Sequence, residues 1–309
     1  MINTQSFIKN SVTLPNDGRP LHLWSVSLAQ PTQRAVLFLH GSTLSGLVFD
    51  IPIQGLSWQE RLAADGFATY ALDNLGFGRS YKPASNTEQP IARAAEAYQD
   101  ALTAVKALRE AGMTDITIIG SSWGTIVAGM LVSHYPDVVE RLVQYAPIYN
   151  ERNSDWLKLL QEEGNPNQIA PVFNSAYRVT SAAALMTRWS SDIPIPNKSD
   201  WRDESVAQTV LSRTLAVGSD TFQTPNGPFH DLLQAFSGTS LYDAARIHIP
   251  LCIVRPDADS TSQHGDGLAL FNQAVSTEKY YENLPNGSHF MFLEKSAPIL
   301  FNRVRAFLD

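Results

Sequence analysis

Residues 116–136 read Ile-Thr-Ile-Ile-Gly-Ser-Ser-Trp-Gly-Thr-Ile-Val-Ala-Gly-Met-Leu-Val-Ser-His-Tyr-Pro. A β-branched apolar run, which favours extended backbone, meets two glycines, and apolar residues then recur at helical spacing from Ile126 to Leu131. The pattern predicts strand, sharp turn, helix. Only one frame of the turn fits Gly-x-Ser-x-Gly, with Ser122 at the apex and Ser121 beside it. A side chain at position 120 or 124 would collide with the adjacent strand or helix where the chain reverses this tightly. Ser122 is then exposed at the top of a sheet as a candidate nucleophile. The N–H of Trp123, in the first helical turn, points into the same space and is aimed at an oxyanion.

What surrounds this junction has to accommodate it. The chain has 309 residues, 44% of them hydrophobic, enough to bury one α/β core with a smaller domain inset. Its net charge of −7 and the lack of a Lys/Arg cluster along the sequence argue against nucleic acid or an anionic membrane as partners. The charged fraction of 17% is low, which points to apolar surface kept for a small-molecule pocket or for contact between copies in a homo-oligomer. Cys252 is the sole cysteine and can form no internal disulfide. It reads as a core residue of a cytoplasmic protein. Residues 1–10 lack the basic start and apolar stretch of a signal peptide, and no apolar run reaches the length of a membrane span.

The chain opens with two alternating segments, 6–14 and 21–27, joined through Asp17-Gly18, a hairpin signal. The apolar run 35–39 predicts a strand covered on both faces, ending in His40-Gly41-Ser42-Thr43. A short helix over 57–65, a strand over 67–72 and a long helix over 91–111 follow, then the Ser122 junction and a strand over 142–146. From Pro147 to about Ser240 the rhythm is lost and large aromatics accumulate (Trp156, Phe173, Trp189, Trp201, Phe229, Phe236). This segment is expected to be an inserted, mostly helical cap, with about half of its aromatics forming a small core of its own. Beyond it the reading is a strand at 249–254, a helix near 267–275, a strand at 278–282 and an amphipathic helix at 296–308. The domain expectation is a core of 1–147 and 241–309 with a cap of 148–240. The fold class is α/β, a mainly parallel doubly wound sheet with an antiparallel edge.

A serine hydroxyl needs a neutral imidazole to take its proton. His289, in the polar loop Pro285-Asn-Gly-Ser-His between the last strand and last helix, is the candidate base. His22, His40, His134 and His248 lie in or beside strands or helices and read as structural, while His230 and His264 stay candidates for substrate contact. The carboxylate that orients the base comes from Asp257 or Asp259 after the 249–254 strand, with Asp155 a distant third.

In chain order, His40-Gly41, Asp73-x-x-Gly76-x-Gly78-x-Ser80, Gly120-x-Ser122-x-Gly124, Asp259 and Gly287-Ser-His289 resemble the α/β-hydrolase superfamily over essentially the whole chain outside the cap. The resemblance implies an eight-stranded sheet, a cap after the sixth strand and a Ser122-Asp259-His289 triad. Its acid turn, Gly-x-x-Asp, corresponds to Asp259, although Pro256 replaces the glycine here. It implies an oxyanion hole from the backbone N–H groups of Trp123 and Ser42, with Thr43 as an alternative, and leaves Asp73, Arg79 and Ser80 as a structural latch. Trp123 has a second reading as a wall of the pocket.

Dehalogenases and epoxide hydrolases of this fold carry aspartate at the apex, so serine implies acyl transfer to water without metal or cofactor. The expected substrate is an uncharged, partly apolar carboxylic ester, since the cap's basic residues, Arg178, Arg188 and Arg213 among them, form no cluster in sequence. Ser-Trp-Gly is similar to proline iminopeptidases, but these carry His-Gly-Gly-Pro-Gly where this chain has His-Gly-Ser-Thr-Leu. An aminopeptidase would instead need a cap glutamate (Glu151, Glu162, Glu163 or Glu204) near Ser122 to hold the substrate's ammonium. A carbon–carbon bond hydrolase, a thioesterase and a lactonase use the same triad, and a non-hydrolytic binding or scaffold role is the alternative of another class.

Overall fold

The computed structural model describes residues 6–85 and 88–309. The first five residues, part of the stretch read for a leader, lie outside the described residues. Eight strands form the central sheet: β1 (Ile8–Leu14), β2 (Leu21–Ser27), β3 (Arg34–Leu39), β4 (Ala68–Asp73), β5 (Asp115–Ser121), β6 (Arg141–Tyr145), β7 (Leu251–Pro256) and β8 (Lys279–Leu284). Their spatial order is β1-β2-β4-β3-β5-β6-β7-β8. β2 runs antiparallel to both its neighbours, and every other pairing is parallel. The β1–β2 turn places Asp17 and Gly18 at φ 45° and 76°, which brings Leu14 opposite Leu21.

Alternation along β3 explains why it is apolar throughout. Val36 and Phe38 enter a layer built with α1 (Trp58–Ala64) and the C-terminal helix, while Leu37 and Leu39 enter the opposite layer, built with the helices that follow β4 and β5. One of these, α2 (Ala94–Glu110), begins three residues later than the periodicity predicts. Ala92 has φ 60°, and the Ile91 carbonyl accepts from Gly227 N–H (2.8 Å) instead of starting a helical ladder. The other, α3 (Trp123–His134), is buried on almost every face.

Between β6 and β7 lie four helices, α4 (Ser154–Leu160), α5 (Ala182–Ser191), α6 (Glu204–Thr214) and α7 (Gly227–Phe236). The region also holds two β-ribbons the sequence reading did not foresee: Gln161–Glu162 with Asn165–Ile169, and Tyr177–Ser181 with Thr221–Pro225. The partners of the second are some forty residues apart, so no local pattern announces them. The expected separate cap core is also corrected. Trp156, Phe173, Phe229 and Phe236 pack into the layer that contains α2 and α3, whereas Leu185, Trp189, Val206 and Val210 pack into the layer that contains α1. Beyond the cap, α8 (His264–Gln273) starts three residues early on a capping box between Gln263 and Asp266, and α9 (Ala297–Leu308) closes the chain. Cys252 is buried in β7, and burial pushes its thiol up to about 12.

Candidate active site

Ser122 joins β5 to α3 with φ 56° and ψ −124°, backbone that L-residues seldom adopt. Its N–H donates to the Tyr145 carbonyl (3.0 Å), and its carbonyl accepts from Thr125 N–H (2.8 Å). A Cβ on Gly120 would stand 2.6 Å from the Gly124 carbonyl oxygen, and one on Gly124 would stand 2.2 Å from that of Leu39. Both glycines are therefore required by close approach, and the turn they permit raises the Ser122 hydroxyl above the strand ends.

The loop after β8, turned at Asn286 (φ 59°), brings His289 over the same strand ends. His289 Nε2 lies 2.8 Å from Ser122 Oγ, and Nδ1 lies 2.7 Å from Asp259 Oδ2. The Asp259 carboxylate is buried, with Oδ1 accepting from the N–H groups of Thr261 (2.8 Å) and Ser262 (3.0 Å). Burial pushes its carboxyl pKa up, but the charge and hydrogen bond of His289, the Ser262 N–H and the nearby Arg188 outweigh this and hold it below the usual range. An ionised Asp259 accepts from Nδ1–H, which leaves Nε2 free to accept from the Ser122 hydroxyl. Pro256 does not disturb the turn: its carbonyl accepts from Asp259 N–H (3.3 Å), while Arg255 donates to the carbonyls of Asp259 (2.7 Å) and Ser262 (2.6 Å).

Asp257 sits elsewhere. Its Oδ1 accepts from Gly287 N–H (3.2 Å), bracing the histidine loop, while Asp155 is solvent-exposed and pairs with Lys158. Glu294 braces the same loop through Ser288 N–H (3.0 Å) and joins it to the cap through Trp189 Nε1 (2.9 Å). His230 and His264 bond to the Phe173 carbonyl and the Tyr281 hydroxyl, and neither lines the cavity above Ser122.

After β3 the chain passes so close to the serine that a Cβ on Gly41 would be 3.2 Å from Ser122 Cβ. His40 Nε2 accepts from Asn74 N–H (3.2 Å), so its proton is on Nδ1, 2.8 Å from the Gly41 carbonyl. Burial lowers the His40 pKa and keeps the ring neutral. The next carbonyl, that of Ser42, accepts from Arg178 Nη2 of the cap (3.1 Å). Among the described residues, no protein acceptor takes the N–H of Ser42 or of Trp123. The indole of Trp123 is fully buried and donates to Asp231 Oδ2 (3.0 Å), so it is no wall of the cavity. The Asp73 carboxylate accepts from Gly46 N–H, Trp24 Nε1 and Arg79 N–H, a latch beneath the site.

The cavity above Ser122 encloses about 80 Å³ between Val48, Phe49, Trp156, Leu232, Phe290 and Phe292. Among the described residues Arg188 is the one Arg or Lys on its lining, and Asp192 pairs with it at 2.9 Å. Among the described residues no carboxylate lines it, and Glu151, Glu162, Glu163 and Glu204 all lie elsewhere. The absence of a basic cluster in sequence does not hold in space: Arg213 of α6 and Arg79 and Lys82 of the core line a second hollow. These positions are separated by some 130 residues, so their neighbourhood, like the contacts of Arg178 and Asp231, exists only once the cap is docked.

The model of the serine aminopeptidase family S33 matches residues 30–296. The chain belongs to this family. It is an α/β-hydrolase enzyme. Among curated proteins, the haloalkane dehalogenase of Psychrobacter cryohalolentis is 24% identical over 258 residues, 83% of this chain and 77% of the relative. Among solved structures, E-2-(acetamidomethylene)succinate hydrolase superposes with a TM-score of 0.68 at 18% identity, covering 98% of this chain and all of the other. The thioesterase domain from the curacin biosynthetic pathway gives 0.65 at 15% identity, covering 97% and 99%. At these identities the structural likeness establishes the fold. Among the described residues no helix is long and apolar enough to cross a membrane.

Proposed function

We propose that the protein hydrolyses a carboxylic ester with an uncharged, partly apolar group at the scissile bond, using Ser122 as nucleophile, His289 as base and Asp259 as its orienting acid. The observation that carries this is the unbroken line from Ser122 Oγ through His289 to the buried Asp259 carboxylate. Ser122 Oγ attacks the carbonyl carbon as its proton passes to His289 Nε2, and the N–H groups of Trp123 and Ser42 stabilise the oxyanion. Asp259 stabilises the imidazolium, which then protonates the departing alkoxide. Water, deprotonated by the same Nε2, attacks the acyl-enzyme, and collapse releases the acid and restores the serine.

Serine chemistry also decides against carrying the dehalogenase relative's reaction over. A serine oxygen alkylated by a haloalkane would become an ether that water does not cleave, whereas an acyl ester at Ser122 turns over. The family description makes aminopeptidase activity the second reading. Against it stands the cavity, whose lining offers no carboxylate for an ammonium group. We place the inserted cap at residues 148–240 and the protein in the cytoplasm. The test is a hydrolysis screen with a fluorophosphonate probe run alongside. Neutral p-nitrophenyl esters should outpace aminoacyl arylamides of similar size, with probe labelling at Ser122. Faster arylamide turnover installs the peptidase reading, and absence of labelling in folded protein removes the hydrolase mechanism.

A further inference from the structure

We infer that the second hollow binds an anionic group, a carboxylate or phosphate, carried by the substrate at a distance from the scissile bond; this rests on the esterase reading above. The hollow, about 430 Å³, lies between the core and the cap and is lined by Arg79, Lys82 and Arg213 with polar neighbours such as Thr214 and Gln223. Among the described residues no carboxylate lines it and none of the three cations forms an ion pair; Arg79 and Lys82 are exposed, with the Arg79 guanidinium 4.5 Å from the Trp24 ring centroid, and Arg213 is half-buried. Arg213 Nε is buried without an acceptor, a cost of the kind a ligand oxygen would remove. Two acids close by are already engaged: Asp73 by three donors, and Asp50, across the other side of Arg213, by Lys9 (2.7 Å).

The hollow adjoins the reacting centre. Thr43 lines both it and the cavity above Ser122, and a third, smaller space shares Leu44 and Val48 with that cavity and Arg213 and Thr214 with the hollow. Apolar walls surround the serine and unpaired cations stand at the outer end. A substrate with a neutral ester at one end and an anion at the other matches that sequence of environments.

Two matched pairs of esters test this: a p-nitrophenyl hemiester of a dicarboxylic acid against its methyl-capped form, and 4-acetoxybenzoate against its methyl ester. They place the anion on the acyl and the leaving-group side respectively. In one pair the anion should raise kcat/KM by about tenfold at low salt, and 0.5 M salt should erase most of the preference. Arg213→Gln and Lys82→Gln should each reduce the anionic-to-neutral ratio. Phosphate monoester analogues of the preferred pair separate phosphate from carboxylate recognition. Neutral partners faster in both pairs, or a ratio indifferent to both substitutions, overturns the inference, while neutral-ester turnover through Ser122 keeps the hydrolase reading intact.

A different observation assigns Arg178 as a positioning residue of the oxyanion loop. A trans peptide is planar, with its C=O and N–H opposed, so fixing one carbonyl fixes the N–H of the next residue. His40 fixes the Gly41 carbonyl from the core, which sets Ser42 N–H, and Arg178 fixes the Ser42 carbonyl from the cap, so that both peptide planes flanking the donor residue Ser42 are held. Arg178 has no carboxylate partner among the described residues. Its guanidinium rests 3.6 Å from the Phe229 ring centroid and also donates to the Pro225 carbonyl, and burial lowers its pKa. Arg178→Met should lower kcat about tenfold with KM within twofold, and weaken an alkyl boronate that mimics the tetrahedral adduct by the same factor. Phe229→Leu, which leaves the hydrogen bonds, should show a smaller loss in the same sense. Unchanged boronate affinity, or a rise in KM alone, overturns the assignment.

Discussion

The core and the cap contribute to one site in opposite ways. In the core the reacting atoms are set by backbone: a strained turn at Ser122, a turn closed by Pro256 and Asp259, a loop bent at Asn286. In the cap, single long side chains do the work, with Arg178 reaching the Ser42 carbonyl and Arg188 reaching the lining near Asp259. Backbone geometry is shared by many residues and tolerates no half-measures, while a side-chain contact can be removed alone. Core substitutions should therefore abolish the chemistry, and cap substitutions should grade it.

Ser122→Ala gives the largest expected effect, a fall in kcat of about four to six orders of magnitude in folded protein. Steady-state rates, with circular dichroism for folding, check it, and a loss confined to Ser121→Ala would move the nucleophile by one position. Asp259→Asn should cost about 10⁴-fold by favouring the wrong tautomer of His289. Asp257→Ala, which removes only a brace on Gly287, should cost less than about tenfold, because no reacting group touches it. A larger loss at Asp257 would exchange the two assignments.

The distance in sequence between partners explains what could be read in advance. Strand, turn and helix around Ser122 are local patterns, and so is the polar loop of His289, hence the sheet and two triad candidates were legible. Asp259 and Asp257 share one turn, where strand alternation no longer distinguishes faces. The resemblance chose between them, and in the structure they have different partners, Thr261 and His289 for Asp259 and Gly287 for Asp257. Arg178 and Arg213 acquire meaning from residues more than 100 positions away, and no periodicity encodes that.

At the seam between the two regions the expected effects are on stability. Asp231→Ala should lower unfolding free energy by about 2 kcal/mol, at the modest end for a broken ion pair because Arg93 is 37% exposed. Chemical denaturation measures it, and an unchanged midpoint would mean that the cap is held by apolar contact alone. A further stability effect is on pH dependence. Burial pushes Asp100 and Asp266 up to about 6, despite hydrogen bonds from backbone N–H groups. The folded state then keeps protons that the unfolded chain has released, so unfolding free energy should fall as pH rises from about 4 to about 6, by roughly 2 kcal/mol per carboxyl, and level off above. Asp259, with its lowered pKa, adds stability above its unfolded pKa and loses it as pH falls through the lower, folded value. Asp266→Asn should flatten the slope, and an equally steep slope in that variant would remove Asp266 as its source.

Asp231 has one more consequence. From α7 it accepts from the Ala94 N–H (2.7 Å) and the Trp123 indole, tying a cap helix to the residue that follows Ser122. Among the described residues, the ribbon of Tyr177–Ser181 and Thr221–Pro225, which carries Arg178, has no ion pair to the core and is hydrogen-bonded to it through that guanidinium and the Tyr177 hydroxyl. The expected way in for substrate is a door with its hinge on α7: amide protons of α7 should exchange with deuterium as slowly as those of α3, and those of α6 should exchange first, leaving the helix after Ser122 undisturbed each time the entrance opens.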